Sequence, residues 1–219
     1  MTLAAKKELI TSIVRHPEAQ SLVDELNRIL EEEKKKRLHF YEVVSEMEKS
    51  EFINGEIIIH SPVRKEHNVA NGNLFKIIDG YAIVNDLGFV GFEKILIQLT
   101  RNDYEPDICF FSSEKADKFE EGQKFFPAPD LVVEVLSKST AGRDRGIKYE
   151  DYQNHKVKEY WIVNAQKKQV EQYILEDNQY ELRLKSDSGE IKCEVLKGLT
   201  IPIPIIFDKK QTHQFIKNL

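Results

Sequence analysis

Cysteine is scarce, with two in 219 residues. Cys109 and Cys193 lie far apart, and neither has a second cysteine at zinc-ligand spacing. There is no disulfide framework or thiolate zinc site to read, and both sit in apolar, strand-like stretches as reduced core residues. No window approaches the roughly 18 consecutive apolar residues of a membrane span, and the first residues carry no apolar signal-like stretch. The expectation is a cytoplasmic protein with no membrane partner. Positive charge is not in excess either: 32 Lys and Arg stand against 37 Asp and Glu, for a net charge of -5. The surface as a whole does not advertise a polyanion partner, so any nucleic-acid site must be a local basic patch. The only tryptophan, Trp161, is embedded in a strand-like run, which argues against an aromatic-lined sugar cleft.

What the chain does have is enough apolar residue, 41%, to bury the core of one domain with an appendage. Residues 1–37 differ in texture from the rest. Leu22, Val23, Leu26, Ile29 and Leu30 fall at helical spacing and predict an amphipathic helix that docks on the core or on a second subunit. Glu31 to Glu33 followed by Lys34 to Arg37 read as a self-compensated, solvated helix end. Further on, residues 40–47 read as helix, and residues 51–59 as a hairpin around Asn54-Gly55. A helix is predicted over 67–81, strands over 88–99 and 107–111 with a turn at Asn102-Asp103, and a loop with a short helix over 112–126. A strand at 131–136, a helix at 142–155 and a strand at 159–164 follow. The tail reads as β-structure at 169–175, 180–184 and 191–196, with Pro202 and Pro204 beyond it. This order predicts an α/β fold with helices flanking a central mixed β-sheet.

The run PAPDLVVEVLS places Glu134 inside a stretch that reads as a buried strand, where a lone charge is expensive. The usual remedy is a partner or a metal. If strands 107–111 and 131–136 pair, Asp107 stands beside Glu134. Two facing carboxylates repel, and hard oxygen donors favour Mg2+ or Mn2+ between them. Asp130 also follows a proline, but it lies four residues from Glu134 on the same face. At roughly 13 Å that is too far to share an ion, so it reads as a strand-opening residue. Asp144, Lys148 and Tyr152 are four apart, on one face of the predicted helix, from which Lys148 can reach back over Glu134. Glu51 and His67 are candidates for a further ligand or hydrogen bond.

The stretches EFINGEIIIHSP, His67, EPDICFF and PAPDLVVEVLSKSTAGRDRGIKYEDYQNHKVKEYWIVN resemble the Uma-two-type restriction endonuclease family, within the PD-(D/E)XK nucleases. The resemblance covers roughly residues 40 to 200. It implies a restriction-endonuclease-like core over 38–219, with 1–37 as an N-terminal helical extension. It further implies Mg2+-dependent hydrolysis of DNA phosphodiesters, with Asp107 and Glu134 as metal ligands and Lys148 as the catalytic lysine. The lysine that usually follows the second acid within its strand is replaced here by Val135-Leu136, so the resemblance implies that Lys148 substitutes for it from the helix. Glu51, His67, Asp144 and Tyr152 take supporting roles, Arg143 and Arg145 contact DNA phosphates, and cutting both strands calls for a homodimer. The alternative is a nuclease fold without catalysis that binds nucleic acid or a protein partner.

Overall fold

The computed structural model describes residues 3–44 and 49–219. In chain order the elements are α1 (Leu3–Arg15), α2 (Ala19–Val43), β1 (Ser50–Ile53), β2 (Glu56–Ile59), α3 (Lys65–Val84), β3 (Gly88–Phe92), β4 (Leu96–Gln98), β5 (Asp103–Tyr104) and β6 (Ile108–Ser112). There follow α4 (Ser113–Ala116), β7 (Phe125–Phe126), β8 (Leu131–Val135), α5 (Ala141–Asp144), α6 (Ile147–Asn154), β9 (Glu159–Asn164), β10 (Gln169–Glu176), β11 (Gln179–Ser186), β12 (Glu190–Lys192), β13 (Thr200–Pro202), a 3-10 turn at Ile203–Phe207, and α7 (Lys209–Ile216).

The central sheet has the order β11-β10-β9-β8-β6-β3. Its β8–β9 pair is parallel and the other pairs are antiparallel, so the sheet is mixed, as expected. Period-two alternation sorts its side chains onto two faces. Leu131, Val133 and Val135 of β8, with Ile108 and Phe110 of β6, join a core built with α3 and the C-terminal segment. Val132 and Cys109 point the other way, into a core shared with Tyr152 of α6 and with Ile53, Ile97 and Tyr104 of a second sheet. That second sheet has the order β2-β1-β5-β4-β7. Asp107 and Glu134 have the parity of Cys109 and Val132, so the second sheet and α6 stand over the face from which they project.

Several expectations need correction. The strand predicted over 88–99 is two strands in two sheets. Glu93 adopts a left-handed backbone (φ 60) and donates its N–H to the Asp107 carbonyl at 3.0 Å, which turns the chain out of the central sheet. The turn expected at Asn102-Asp103 is made by residues 99–102, where the Leu99 N–H donates to the Asn102 carbonyl at 3.0 Å. Asn102 Oδ1 accepts from the Asn54 N–H at 2.8 Å, and Asp103 opens β5. The helix predicted over 142–155 is broken into α5 and α6 at Gly146, whose dihedrals (φ -113, ψ -102) are non-helical. The stretch 191–196 is strand only to Lys192, because the N–H groups of Glu194 and Val195 turn to the buried Glu159 carboxylate, at 2.8 and 2.9 Å. The helix expected over 40–47 is present to Val43; residues 45–48 lie outside the described residues.

The N-terminal helices differ most from expectation. Leu22, Leu26 and Ile29 are 40%, 47% and 40% exposed, so the apolar stripe does not bury against the core. α2 is attached instead near its C-terminal end, where Phe40 is buried with Phe52 and Leu96, and by polar contacts. Arg37 forks onto Asp103, at 2.7 and 2.6 Å, and Arg101 forks onto Glu33, at 2.8 and 2.6 Å. Glu33 and Arg37 are therefore tethers to the domain rather than members of a self-compensated helix end. The cysteines are both buried and free, as expected. Among the described residues, no helix is long and apolar enough to cross a membrane.

Candidate active site

Strands β6 and β8 pair with Ile108 opposite Val133, and one further step in that register sets Asp107 opposite Glu134. A hydrogen bond from the Val135 N–H to Asp107 Oδ2, at 2.8 Å, locks the acid to the neighbouring strand. Both carboxylates line a cleft of about 340 Å³ together with Lys49, His60, His67, Glu93 and Ser137.

Asp107 is flanked by two basic side chains. Lys49 Nζ lies 2.6 Å from Oδ1, and His67 Nε2, from the first turn of α3, lies 3.2 Å from Oδ2. Burial opposes ionisation of Asp107, but Lys49 and then His67 outweigh it and hold the carboxyl well below its usual range. Lys49 also lies 3.4 Å from Glu93 Oε2, and Asn71 Nδ2 donates to Glu93 Oε1 at 2.6 Å.

Glu134 is held from behind. Lys148 Nζ donates to Oε1 at 2.9 Å and the Tyr152 hydroxyl donates to the same oxygen at 3.2 Å. Among the described residues nothing else bonds Glu134, which leaves Oε2 for the cleft. Burial is the main force pushing its carboxyl up, to about 8. Lys148 opposes that shift, while the negative charges of Asp144, Asp107 and Glu51 reinforce it.

Lys148 is the hub of this layer. It lies 2.6 Å from Glu51 Oε1 and 3.6 Å from Asp144 Oδ1 as well as beside Glu134, and only 1% of its side chain is exposed. Burial would strip its proton, but the three carboxylates together hold its pKa well above the ordinary lysine value. Glu51 reaches it from β1 of the second sheet. Burial raises the Glu51 carboxyl, yet Lys148 and then His60, whose Nε2 is 3.1 Å from Oε2, hold it down at about 2. Glu51 Oε1 also accepts the Glu105 N–H at 3.1 Å, which ties β1 to the segment leading into Asp107.

The structure thus brings Asp107, Glu134, Lys148, Glu51, His67, Asp144 and Tyr152 together. It leaves Arg143 and Arg145 out. Neither lines the cleft, and the Arg145 guanidinium is committed to Glu171 of β10. Asp130 lies at the opposite end of β8, where it accepts the Ser112 N–H at 2.9 Å and faces Lys115 and Lys158. The sequence reading missed Lys49, His60 and Glu93. Lys49 did carry a signal: it precedes Glu51 by two, so extended backbone puts both on one face. His60 continues the β1–β2 ladder opposite Lys49, a register the sequence reading did not extend past Ile59, and Glu93 comes from a bend, where spacing says nothing about facing.

A divalent ion suits this arrangement. The two carboxylates stand opposite each other, and the Glu134 carboxyl is pushed up by burial and by the negative charges around it. Among the described residues no cluster of three or more His, Cys, Asp and Glu side chains converges as a metal cage. Asp107 and Glu134 are the residues of the cleft floor with hard oxygen donors of the kind Mg2+ or Mn2+ takes.

Comparison with known proteins adds the family. The chain is 31% identical over 160 residues to the uncharacterized protein sll1609 of Synechocystis sp. (strain ATCC 27184 / PCC 6803 / Kazusa), across 68% of this chain and 86% of that protein. It is 29% identical to the uncharacterized protein slr1290 of the same organism, across 73% of this chain and 84% of that one. Its fold is similar to the crystal structure of a putative nuclease belonging to DUF820 from Anabaena variabilis ATCC 29413. The TM-score is 0.64 at 17% identity, over 74% of this chain and 90% of the other. The family Uma2, described as "Putative restriction endonuclease", matches residues 35–204, and with most of its length so matched the chain belongs to that family.

Proposed function

We propose that this protein is a metal-dependent DNA endonuclease. The observation that supports it is the pair Asp107 and Glu134, set opposite each other on paired strands at the floor of a cleft, with a buried lysine behind the second acid. Asp107 and Glu134 would hold Mg2+ or Mn2+. When bound, that ion supplies Lewis acidity to the phosphodiester and acidifies the attacking water. The protein's part is preorganisation. The Val135 N–H and His67 fix the Asp107 carboxylate. Lys148 and Tyr152 turn one oxygen of Glu134 inward so that the other faces the cleft. Glu51 neutralises Lys148, so this layer carries no uncompensated positive charge. Arg143 and Arg145 remain candidates for flanking phosphates only at the rim, and Arg145 would have to share its guanidinium with Glu171. Cutting both strands of a duplex calls for two such sites and hence a homodimer.

The test is cleavage of supercoiled plasmid with and without Mg2+. Wild type should cut only with the metal, and Asp107→Asn and Glu134→Gln should both lose cutting and metal binding. Full activity in either variant would sink the assignment. A second reading is a nuclease fold that binds nucleic acid or a protein without cutting. It is favoured by one observation: Asp107 already has the Lys49 ammonium 2.6 Å from one oxygen and His67 Nε2 3.2 Å from the other. It predicts no binding of Mg2+ at millimolar concentration.

A further inference from the structure

Resting on the nuclease reading, we propose that Lys49 is the cation that meets the scissile phosphate, and that Lys148 is a positioning residue behind the acids. The two lysines differ in access. Lys148 is 1% exposed, is not among the residues lining the cleft, and is shared by Glu51, Glu134 and Asp144. To meet a phosphate it would have to leave three buried carboxylates without their counter-charge, a loss of several kcal/mol. Lys49 lines the cleft beside Asp107 and Glu134, and its side chain is 17% exposed. It precedes β1 of the second sheet, so it faces the two acids from the other side of the cleft.

The second argument concerns the metal. Lys49 Nζ sits 2.6 Å from Asp107 Oδ1, the oxygen that the Val135 N–H and His67 leave open and that a divalent ion held by Asp107 would contest. Metal and ammonium compete for it. Glu93 Oε2, 3.4 Å from Nζ, is a second seat on the same cleft, and Asn71 fixes Glu93 through its other oxygen. A lysine drawn off Asp107 therefore stays in the cleft, with donors free for a non-bridging phosphate oxygen. Its compact charge on a flexible stem suits that exchange. The arrangement also explains how the site tolerates the missing lysine after Glu134: the cation facing substrate comes from the β1 side of the cleft rather than from β8 or the following helices.

The test uses full-length Lys49→Met, Lys49→Arg and Lys148→Met, with three readouts: Mn2+ affinity by calorimetry without DNA, thermal midpoint, and Mg2+-dependent plasmid cleavage. Lys49→Met should lower the thermal midpoint only modestly, because Asp107 loses its nearest cation but retains His67 and the Val135 N–H. It should bind Mn2+ at least as tightly as wild type, since the competitor for Oδ1 is gone. Its cleavage should fall ~10²–10³-fold, and Lys49→Arg should recover part of that loss. Lys148→Met, which strips three buried carboxylates of their cation, should lower the thermal midpoint further. Wild-type cleavage with Lys49→Met within about threefold of it overturns the role of Lys49 and leaves the nuclease reading standing. Loss of metal binding in Lys49→Met also overturns that role, because a structural lysine would behave so. A wild type that neither binds metal nor cuts overturns both.

Discussion

Lys148→Met is the perturbation that most directly probes the buried charge layer. The substitution keeps the stem's bulk and removes the ammonium that lies 2.6 Å from Glu51, 2.9 Å from Glu134 and 3.6 Å from Asp144. Removing one partner of a buried ion pair typically costs about 3–5 kcal/mol, because the other charge is left uncompensated. Three acids share this lysine, but they do not suffer equally. Glu134 is already pushed up to about 8 and can take a proton cheaply near neutrality. Glu51 is held down at about 2, with Lys148 the strongest influence against burial, so most of the penalty falls on it. The expected loss at pH 8 is thus about 3–5 kcal/mol. The sign with pH follows. Without the lysine, the folded-state pKa values of these acids rise above their unfolded values. Acids shifted upward cost stability only above the unfolded pKa, so the deficit should shrink as pH falls towards 5. Urea unfolding of wild type and Lys148→Met at pH 8 and pH 5, followed by Trp161 fluorescence, measures both quantities. A loss under ~1 kcal/mol at pH 8, as for a surface lysine, would refute the reasoning. So would a deficit that grows on acidification.

Three further expectations can be checked independently of catalysis. Burial opposes ionisation of Glu171, but hydrogen bonds from Arg145, Lys185 and Tyr173 prevail and hold its carboxyl down at about 2, against an ordinary 4.5. A depressed acid contributes stability above its unfolded pKa and loses it as pH falls through the folded value. Wild type should therefore lose its advantage over Glu171→Gln between pH 4.5 and pH 2 in acid titrations followed by circular dichroism; a constant difference across that window would contradict this. At Gly146, a Cβ would come 2.9 Å from the Gly142 carbonyl oxygen, so Gly146→Ala should lower stability by about 1–3 kcal/mol in chemical denaturation, and a neutral result would mean the α5–α6 break tolerates a side chain. For the homodimer, light scattering should return twice the chain mass of 25.5 kDa, and the monomer mass would remove the two-site model of duplex cutting.

Much of the fold is legible in the sequence because its central strands are apolar runs bounded by turn residues. LVVEV, EYWIV and DICFF can scarcely be anything but strands, and parity within them puts Asp107 and Glu134 on one face. The pairing of β6 with β8 in the register that sets these acids opposite each other needed only the assumption that the two strands are neighbours. The second sheet was harder to see. Its strands are two to four residues long, too short for periodicity to register, and β4 follows β3 with three residues between. The break between α5 and α6 was hidden because Asp144 and Lys148 keep a helical offset across it. Lys49 escaped because a lysine before a hairpin reads as solvated surface; only the tertiary fold shows that this end of β1 overlies the acids. The exposed stripe on α2 shows the opposite failure. Helical spacing of apolar residues reports amphipathicity, and it does not say what the apolar face meets.

The charge layer joins residues far apart in the chain. Lys49 meets Asp107 across 58 positions, Glu51 meets the Glu105 N–H across 54, and Asp107 meets the Val135 N–H across 28. Contacts this far apart in sequence carry a loop-closure cost that must be overcome before they return any energy, which slows folding. A chain emerging from the ribosome has Asp107 long before it has Glu134 and Lys148. No fragment ending before residue 148 can assemble the acids with their lysine. On the proposed nuclease function, a site built this way would be silent during synthesis and in a molecule whose strands have not yet paired. In refolding experiments, metal-dependent activity should return no sooner than the slowest phase that restores native packing around Trp161.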